Sequence, residues 1–250
     1  MKSTITLSYG THSAQALDLY LPDAAHFPVF VYFHGGGLEA GDKRGFAHFV
    51  PYLLKRGIAV ASANYRMYPE AKYPDFIRDA ASAVAFTCTH IKEYGACDGI
   101  FVGGSSAGGY LSMMLCFDDT YLSDVGILPE NVKGYLHDAG QPTAHFNVLR
   151  ERGIDSRRVI IDESAPLFHV GKKTVYPAMH FIVSDNDMKN RYEQTMLTLG
   201  TLSHFGVASP VSHTVMQGKH CAYTNANAQK NADGEYPFSV IIAEFIKNHL

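Results

Sequence analysis

The spacing of apolar residues changes period several times along this chain, and each change marks an element. Residues 3–9 alternate polar and apolar, residues 10–13 carry turn chemistry, and residues 16–21 alternate again up to Pro22. That pattern predicts a hairpin of two half-buried strands. Residues 29–33 read Val-Phe-Val-Tyr-Phe without a polar break, the signature of a strand buried on both faces, as parallel strands are. Residues 46–55 then carry a helical pattern closed by Gly57, residues 58–63 a second buried strand, and residues 76–94 a helix ending at Gly95. A short strand at 100–102 runs into a glycine-rich turn followed by a helix at 110–117.

The second half is less regular. Strands are expected at 132–137, 178–183 and 211–216, and helices at 191–205, closed by Gly206, and at 237–250. Residues 141–170 are loop-rich with one short helical stretch around 147–152, and read as a cap-like insertion over the sheet. From residue 29 onward strand and helix alternate. This predicts an α/β fold with right-handed crossovers and a mostly parallel central sheet with helices on both faces. The 250 residues suit one domain, and no repeat, linker or low-complexity tract divides them.

Composition narrows the partners. Hydrophobic residues are 46 % of the chain and the net charge is −3, so no strongly basic face is implied and nucleic acid is not an expected partner. No apolar run reaches bilayer-spanning length, and Met1 to Leu7 lacks the apolar core of a signal peptide. The expectation is a soluble, cytoplasmic protein. Cys88, Cys97, Cys116 and Cys221 are scattered, without metal-ligand spacing, and read as reduced thiols. No short segment gathers His, Asp and Glu as a metal site would, and residues 103–109 lack the G-x-G-x-x-G pattern and acidic partner of a dinucleotide fold. Neither metal nor cofactor is expected.

Two glycine motifs carry the chemistry. Gly104-Ser105-Ser106-Ala107-Gly108 fits G-x-S-x-G with Ser106 at its centre, between an apolar strand and a helix. A serine on so sharp a turn thrusts its hydroxyl above the sheet, and tiny neighbours let the backbone pass close to itself. The helix start behind it offers amides and a favourable dipole for a developing negative charge. His34-Gly35-Gly36-Gly37 follows the earlier buried strand, where glycines let main-chain N–H groups turn toward an oxyanion.

The stretch from His34 to Gly109 resembles the hormone-sensitive-lipase-like and acetyl-esterase-like branch of the α/β-hydrolases. The matching pieces are the two glycine motifs, Gly41-Asp42-Lys43, residues 64–70 (Asn-Tyr-Arg-Met-Tyr-Pro-Glu), Tyr73-Pro74, the helix bearing Asp79, and later residues 164–167 (Ser-Ala-Pro-Leu). The resemblance implies a serine carboxylesterase with the triad order Ser, acid, His. Ser106 is then the nucleophile and His220, in a loop after the last strand, the base. The acid lies just beyond the strand at 178–183. The family register favours Asp187, and Asp185 remains open. Gly36, Gly37 and Ala107 would supply the oxyanion hole, with His34 supporting the loop and Arg66 and Asp42 acting as structural ties. Two departures bear on the substrate. Ser105 stands where many relatives have an acid, and Leu38 where many have Trp. With only a small cap, the expected substrate is a short-chain acyl ester, small-molecule or carbohydrate, including acetyl and feruloyl esters. An amidase or formamidase with the same triad and a non-catalytic binding protein on this fold are the alternatives.

Overall fold

The structure, a computed structural model, describes residues 4–45 and 49–250. Strand β1 (Ile5–Ser8) pairs antiparallel with β2 (Ala16–Tyr20), the expected hairpin. Ser3 of that expected strand lies outside the described residues, as do Phe46 to His48 of the expected first helix, which is described as α1 (Val50–Lys55). The remaining strands are β3 (His26–Phe33), β4 (Ala59–Ala63), β5 (Ala96–Ser105), β6 (Val132–Asp138), β7 (Ala178–Asn186) and β8 (Val211–Lys219). They assemble in the order β1-β2-β4-β3-β5-β6-β7-β8, and from β4 to β8 every pairing is parallel. β5 runs ten residues where the apolar pattern marked only three, because its first half, Ala96 to Gly99, is a less buried extension paired with β3.

Alternation along each strand splits the core into two layers. Val29, Val31 and Phe33 of β3, with Ala59, Ala61, Val102, Met179 and Phe181, face one side. There they meet α2 (Asp75–His90), α3 (Ala107–Phe117) and α7 (Arg191–His204). Phe30, Tyr32, Val60, Phe101, Leu136 and Ile182 face the other, under α1 and α8 (Pro237–Asn248). Tyr32 and Phe49 pack edge to face with ring centroids 4.8 Å apart, and burying each such ring stabilises the fold by about 1.5–3 kcal/mol. Residues between β6 and β7 hold two short helices, α5 (Phe146–Glu151) and α6 (Pro166–His169), α4 (Thr120–Ser123) having preceded β6. Among the described residues no helix is long and apolar enough to cross a membrane.

The chain turns from β3 to β4 on one side, then crosses to β5 on the other. The loops after β3 and β5 therefore meet at the carboxyl edge of the sheet, where doubly covered sheets open a crevice. α3 starts in that crevice against the backbone of β3. A Cβ on Gly108 would overlap the Phe33 carbonyl oxygen, and one on Gly104 would press on the backbone of both Phe33 and Gly108. No flexible side chain there can give way. Gly108→Ala should therefore destabilise the chain by more than about 3 kcal/mol, beyond the ordinary range for point substitutions. Urea unfolding checks this, and a loss under about 1 kcal/mol would mean that α3 can shift off β3 freely.

Candidate active site

Ser106 occupies the corner between β5 and α3 with φ 55° and ψ −112°, a backbone conformation that an L-residue holds only when its surroundings impose it. Here they do. The Ser106 N–H donates to the Asp138 carbonyl at the end of β6 (2.7 Å), and its own carbonyl accepts from Tyr110 N–H (3.0 Å) to open α3. The hydroxyl is thereby pointed at the loop after β8, where it lies 2.8 Å from His220 Nε2. His220 Nδ1 lies 2.5 Å from Asp187 Oδ1. If Ser106 donates to Nε2, the imidazole carries its proton on Nδ1 and donates it to Asp187.

Of the two carboxylates left open by the sequence, it is Asp187 whose side chain reaches His220. Asp185 turns to the strand partner instead and accepts from Gly218 N–H (2.8 Å). It interacts with a backbone amide across the β7–β8 edge. Together with Ser184 Oγ, which donates to the Lys219 carbonyl (3.0 Å), it fixes the stretch that presents His220. The Asp187 carboxylate is fully covered. Burial on its own would raise its pKa, but the His220 imidazole and the amides of Ser184 and Met188 outweigh that and hold it below the ordinary carboxylate range. It thus stays charged beside the ring.

The glycine loop after β3 lies across the cleft from His220. Gly36 has φ 118°, and a Cβ there would overlap the Ala40 carbonyl, so a glycine is required. The N–H groups of Gly36, Gly37 and Ala107 donate to no acceptor among the described residues. Asn147 of α5 donates to the Gly37 carbonyl (2.8 Å) and Arg150 pairs with Glu39, tying residues 141–170 to this loop. His34 is buried beneath it, its ring stacked on Tyr65 at 4.6 Å and its Nδ1 2.7 Å from the Gly35 carbonyl. Burial lowers its pKa, and it is neutral near pH 7. Arg66 and Asp42 stand back from the cleft. The Arg66 guanidinium grips Asp79 with two bonds of 2.9 and 2.8 Å, and Asp42 accepts from Arg44 N–H and the Asn64 amide. The cleft itself, about 360 Å³, is lined by the Gly35–Gly37 backbone, Ser106, His220, Phe146, Met188 and Cys221.

One group under the site was not anticipated from the sequence. Asp138 ends β6, one residue beyond the strand that the apolar pattern marked, and is fully buried. Its carboxyl accepts from Tyr223 OH (2.5 Å) and from Ser105 Oγ, which in turn accepts from Tyr32 OH (2.9 Å). Ser105, placed where relatives carry an acid, thus hands its hydroxyl to an acid supplied by the neighbouring strand. A carboxylate directly after a buried strand, at the edge where sites form, was the available signal.

The fold is similar to that of several esterases of known structure. It superposes on Thermogutta terrifontis esterase 2 with propionate bound at a TM-score of 0.77 and 20 % identity, covering 99 % of this chain and 94 % of that one. A truncated carbohydrate esterase from gut microbiota gives 0.74 and 18 %, covering 99 % and 96 %. Residues 17–152 match the model of the BD-FAE family, and the chain belongs to that family. A probable isoprenylcysteine alpha-carbonyl methylesterase of Arabidopsis thaliana is 36 % identical over 110 residues, 43 % of this chain and 23 % of that protein. The probable carboxylic ester hydrolase LipM of Mycobacterium tuberculosis is 38 % identical over 115 residues, 43 % of this chain and 27 % of LipM. The chain thus spans about a quarter of the length of the curated relatives it matches.

Burial pushes the Asp138 carboxyl from 3.8 up to about 7, against the pull of its Ser105 and Tyr223 hydrogen bonds and of His220. Between those values the folded chain holds a proton that the unfolded chain has released. The associated stability is therefore complete below the ordinary carboxyl value and is lost as pH rises through about 7. Relative to Asp138→Asn, the native chain should lose unfolding free energy from about pH 4 to about pH 7, by at most about 1.4 kcal/mol per pH unit, and level off above. Urea titrations of both proteins at several pH values check this; a difference independent of pH, or one growing the other way, contradicts the placement of that proton.

Proposed function

We propose that this chain is a serine carboxylesterase that cleaves short-chain acyl esters through an acyl-enzyme, with Ser106 as nucleophile, His220 as general base and acid, and Asp187 as the group that orients His220. The single observation that carries the reading is the relay of hydrogen-bond distances from Asp187 to His220 to Ser106, 2.5 and 2.8 Å. A nucleophile, a base and an orienting acid in line make a serine reactive near neutral pH.

In this mechanism Ser106 Oγ attacks the ester carbonyl carbon while its proton passes to His220 Nε2. The imidazolium that forms is stabilised by Asp187, already ionised. The carbonyl oxygen becomes an oxyanion facing the N–H groups of Gly36, Gly37 and Ala107, with the start of α3 behind it. His220 returns the proton to the leaving alkoxide, and the alcohol departs. Water then enters, loses a proton to His220, attacks the acyl carbon and releases the carboxylic acid, restoring Ser106.

Residues 141–170 act as a small cap. α5 is bound to the oxyanion loop through Asn147 and Arg150, and Phe146 narrows the cleft. A cleft of about 360 Å³ with exposed Met188 at its rim suits acetyl to butyryl groups, and an open mouth accommodates a larger alcohol such as a sugar. The esterase 2 neighbour, solved with propionate and with butyrate, is in keeping with this size.

A fluorophosphonate probe should label the native chain at Ser106, read by peptide mass, and not the Ser106→Ala protein. That variant should lose about 10³-fold or more in kcat on p-nitrophenyl acetate while remaining folded. Asp187→Asn should cost as much as about 10⁴-fold in kcat because the imidazole then rests in the wrong tautomer, and Asp185→Asn far less. Acetate or butyrate esters should exceed octanoate in kcat/KM. Unlabelled Ser106, equal damage from the two aspartate variants, or a preference for octanoate would each defeat the corresponding part of the reading.

A further inference from the structure

Next to the catalytic cleft, and sharing Phe146 and Met188 with it, lies a second cavity of about 590 Å³ between the 141–170 segment and the start of α7. Its polar wall is cationic. Arg157, Arg158, Lys189 and Arg191 all line it, and no carboxylate does. This runs against the balance of the whole chain, whose net charge is −3. Arg157 is neutralised by Asp155, which it grips through Nε and a terminal nitrogen at 2.9 and 2.6 Å. The other three have no carboxylate at ion-pair distance among the described residues.

Arg191 is the telling member. It is only 4 % exposed, and its guanidinium is held by neutral acceptors, the Ala139 carbonyl (2.5 Å) and Gln141 Oε1 (3.3 Å). The acid whose charge acts on it, Asp187, makes no ion pair with it and is hydrogen-bonded to His220 instead. Charged side chains are almost never buried without an opposite charge, because the lost hydration is not recovered from neutral partners alone. Arg191 also opens α7, a helix of 14 residues whose positive end adds to the field in the cavity. Arg158 and Lys189 flank the opening with flexible, exposed cations, and Phe146, Val159 and Met188 form an apolar side wall.

We infer that this cavity is a substrate subsite for an anionic group, so that the preferred ester carries a carboxylate or phosphate on the part that extends from the scissile bond past Phe146 and Met188. The inference rests on the esterase reading and adds its substrate class: an apolar spacer of a few atoms ending in a negative charge. Such a substrate would supply the directly paired counter-charge that Arg191 lacks, and Arg158 and Lys189 would draw it in from solution.

The test uses the full chain and two matched pairs of esters. Monomethyl glutarate against methyl valerate places the charge on the acyl side, and 4-acetoxybenzoate against 4-acetoxybenzamide places it on the alcohol side; 4-acetoxyphenyl phosphate replaces carboxylate by phosphate. In at least one pair the anionic ester should have about tenfold or more higher kcat/KM at low ionic strength, with the advantage shrinking in about 0.5 M salt. In the doubly substituted Arg158→Ala, Lys189→Ala protein, altered only at exposed positions, the anionic-to-neutral ratio should fall at least about fivefold. Equal rates within both pairs, or a preference that the double substitution leaves intact, would overturn the subsite while leaving the esterase reading standing. Failure to turn over any of the esters, together with no fluorophosphonate labelling of Ser106, would remove both.

Discussion

The site hangs on how closely α3 approaches the sheet. Gly104, Gly108 and Gly109 leave no room between the first turn of α3 and the backbones of β3 and β6, and the chain can pass from β5 into the helix only through a conformation that Ser106 would not adopt on its own. The bond from Ser106 N–H to the Asp138 carbonyl locks that corner to β6. Once the corner is set, the hydroxyl points toward the loop after β8, where His220 meets it. The strain at one residue is sustained by packing spread over three strands and a helix, as local strain at functional sites generally must be.

Around this corner the structure pushes two carboxyl groups in opposite directions. Asp187 and Asp138 are both covered, and burial alone would raise both. Asp187 has the His220 imidazole and two backbone amides within reach, and remains an anion. Asp138 is answered chiefly by hydroxyls, and its value moves up to about 7. One carboxylate thereby stays charged against the His220 imidazole, as the proposed mechanism requires, and the other holds a network of Ser105, Tyr32 and Tyr223 together under Ser106. Environments that separate the titration of neighbouring acids are a common way for one site to hold two roles. Arg191 completes the picture with the opposite sign: a covered cation beside the same site, with neutral hydrogen-bond partners only.

The order of elements and the layering of the core were legible from the chain because they depend on period. Valine, phenylalanine and alanine on both faces of β3 and β4 mark buried parallel strands, and two glycine motifs in strand-to-helix positions mark where backbone must come close to something. Family register favoured Asp187 while leaving Asp185 open, and the strand that precedes both could be found from its apolar run. These are local properties, readable over a dozen residues, since side-chain direction alternates with the backbone and glycine is required wherever a Cβ has no room.

What the chain alone could not tell was which distant groups would meet. Asp138 and Ser105 lie 33 positions apart and become partners only because β5 and β6 are neighbours in register. Asp185 and Asp187 differ by two positions, and the choice between them depends on how β7 curls against β8, where Asp185 is taken up by Gly218 and Asp187 is left to reach His220. The four cations around the second cavity come from two segments about 30 positions apart, each unremarkable by itself. Charge, burial and hydrogen bonding act through space, so their balance is decided by tertiary packing, whereas the periodicity that builds the sheet is written residue by residue in the sequence.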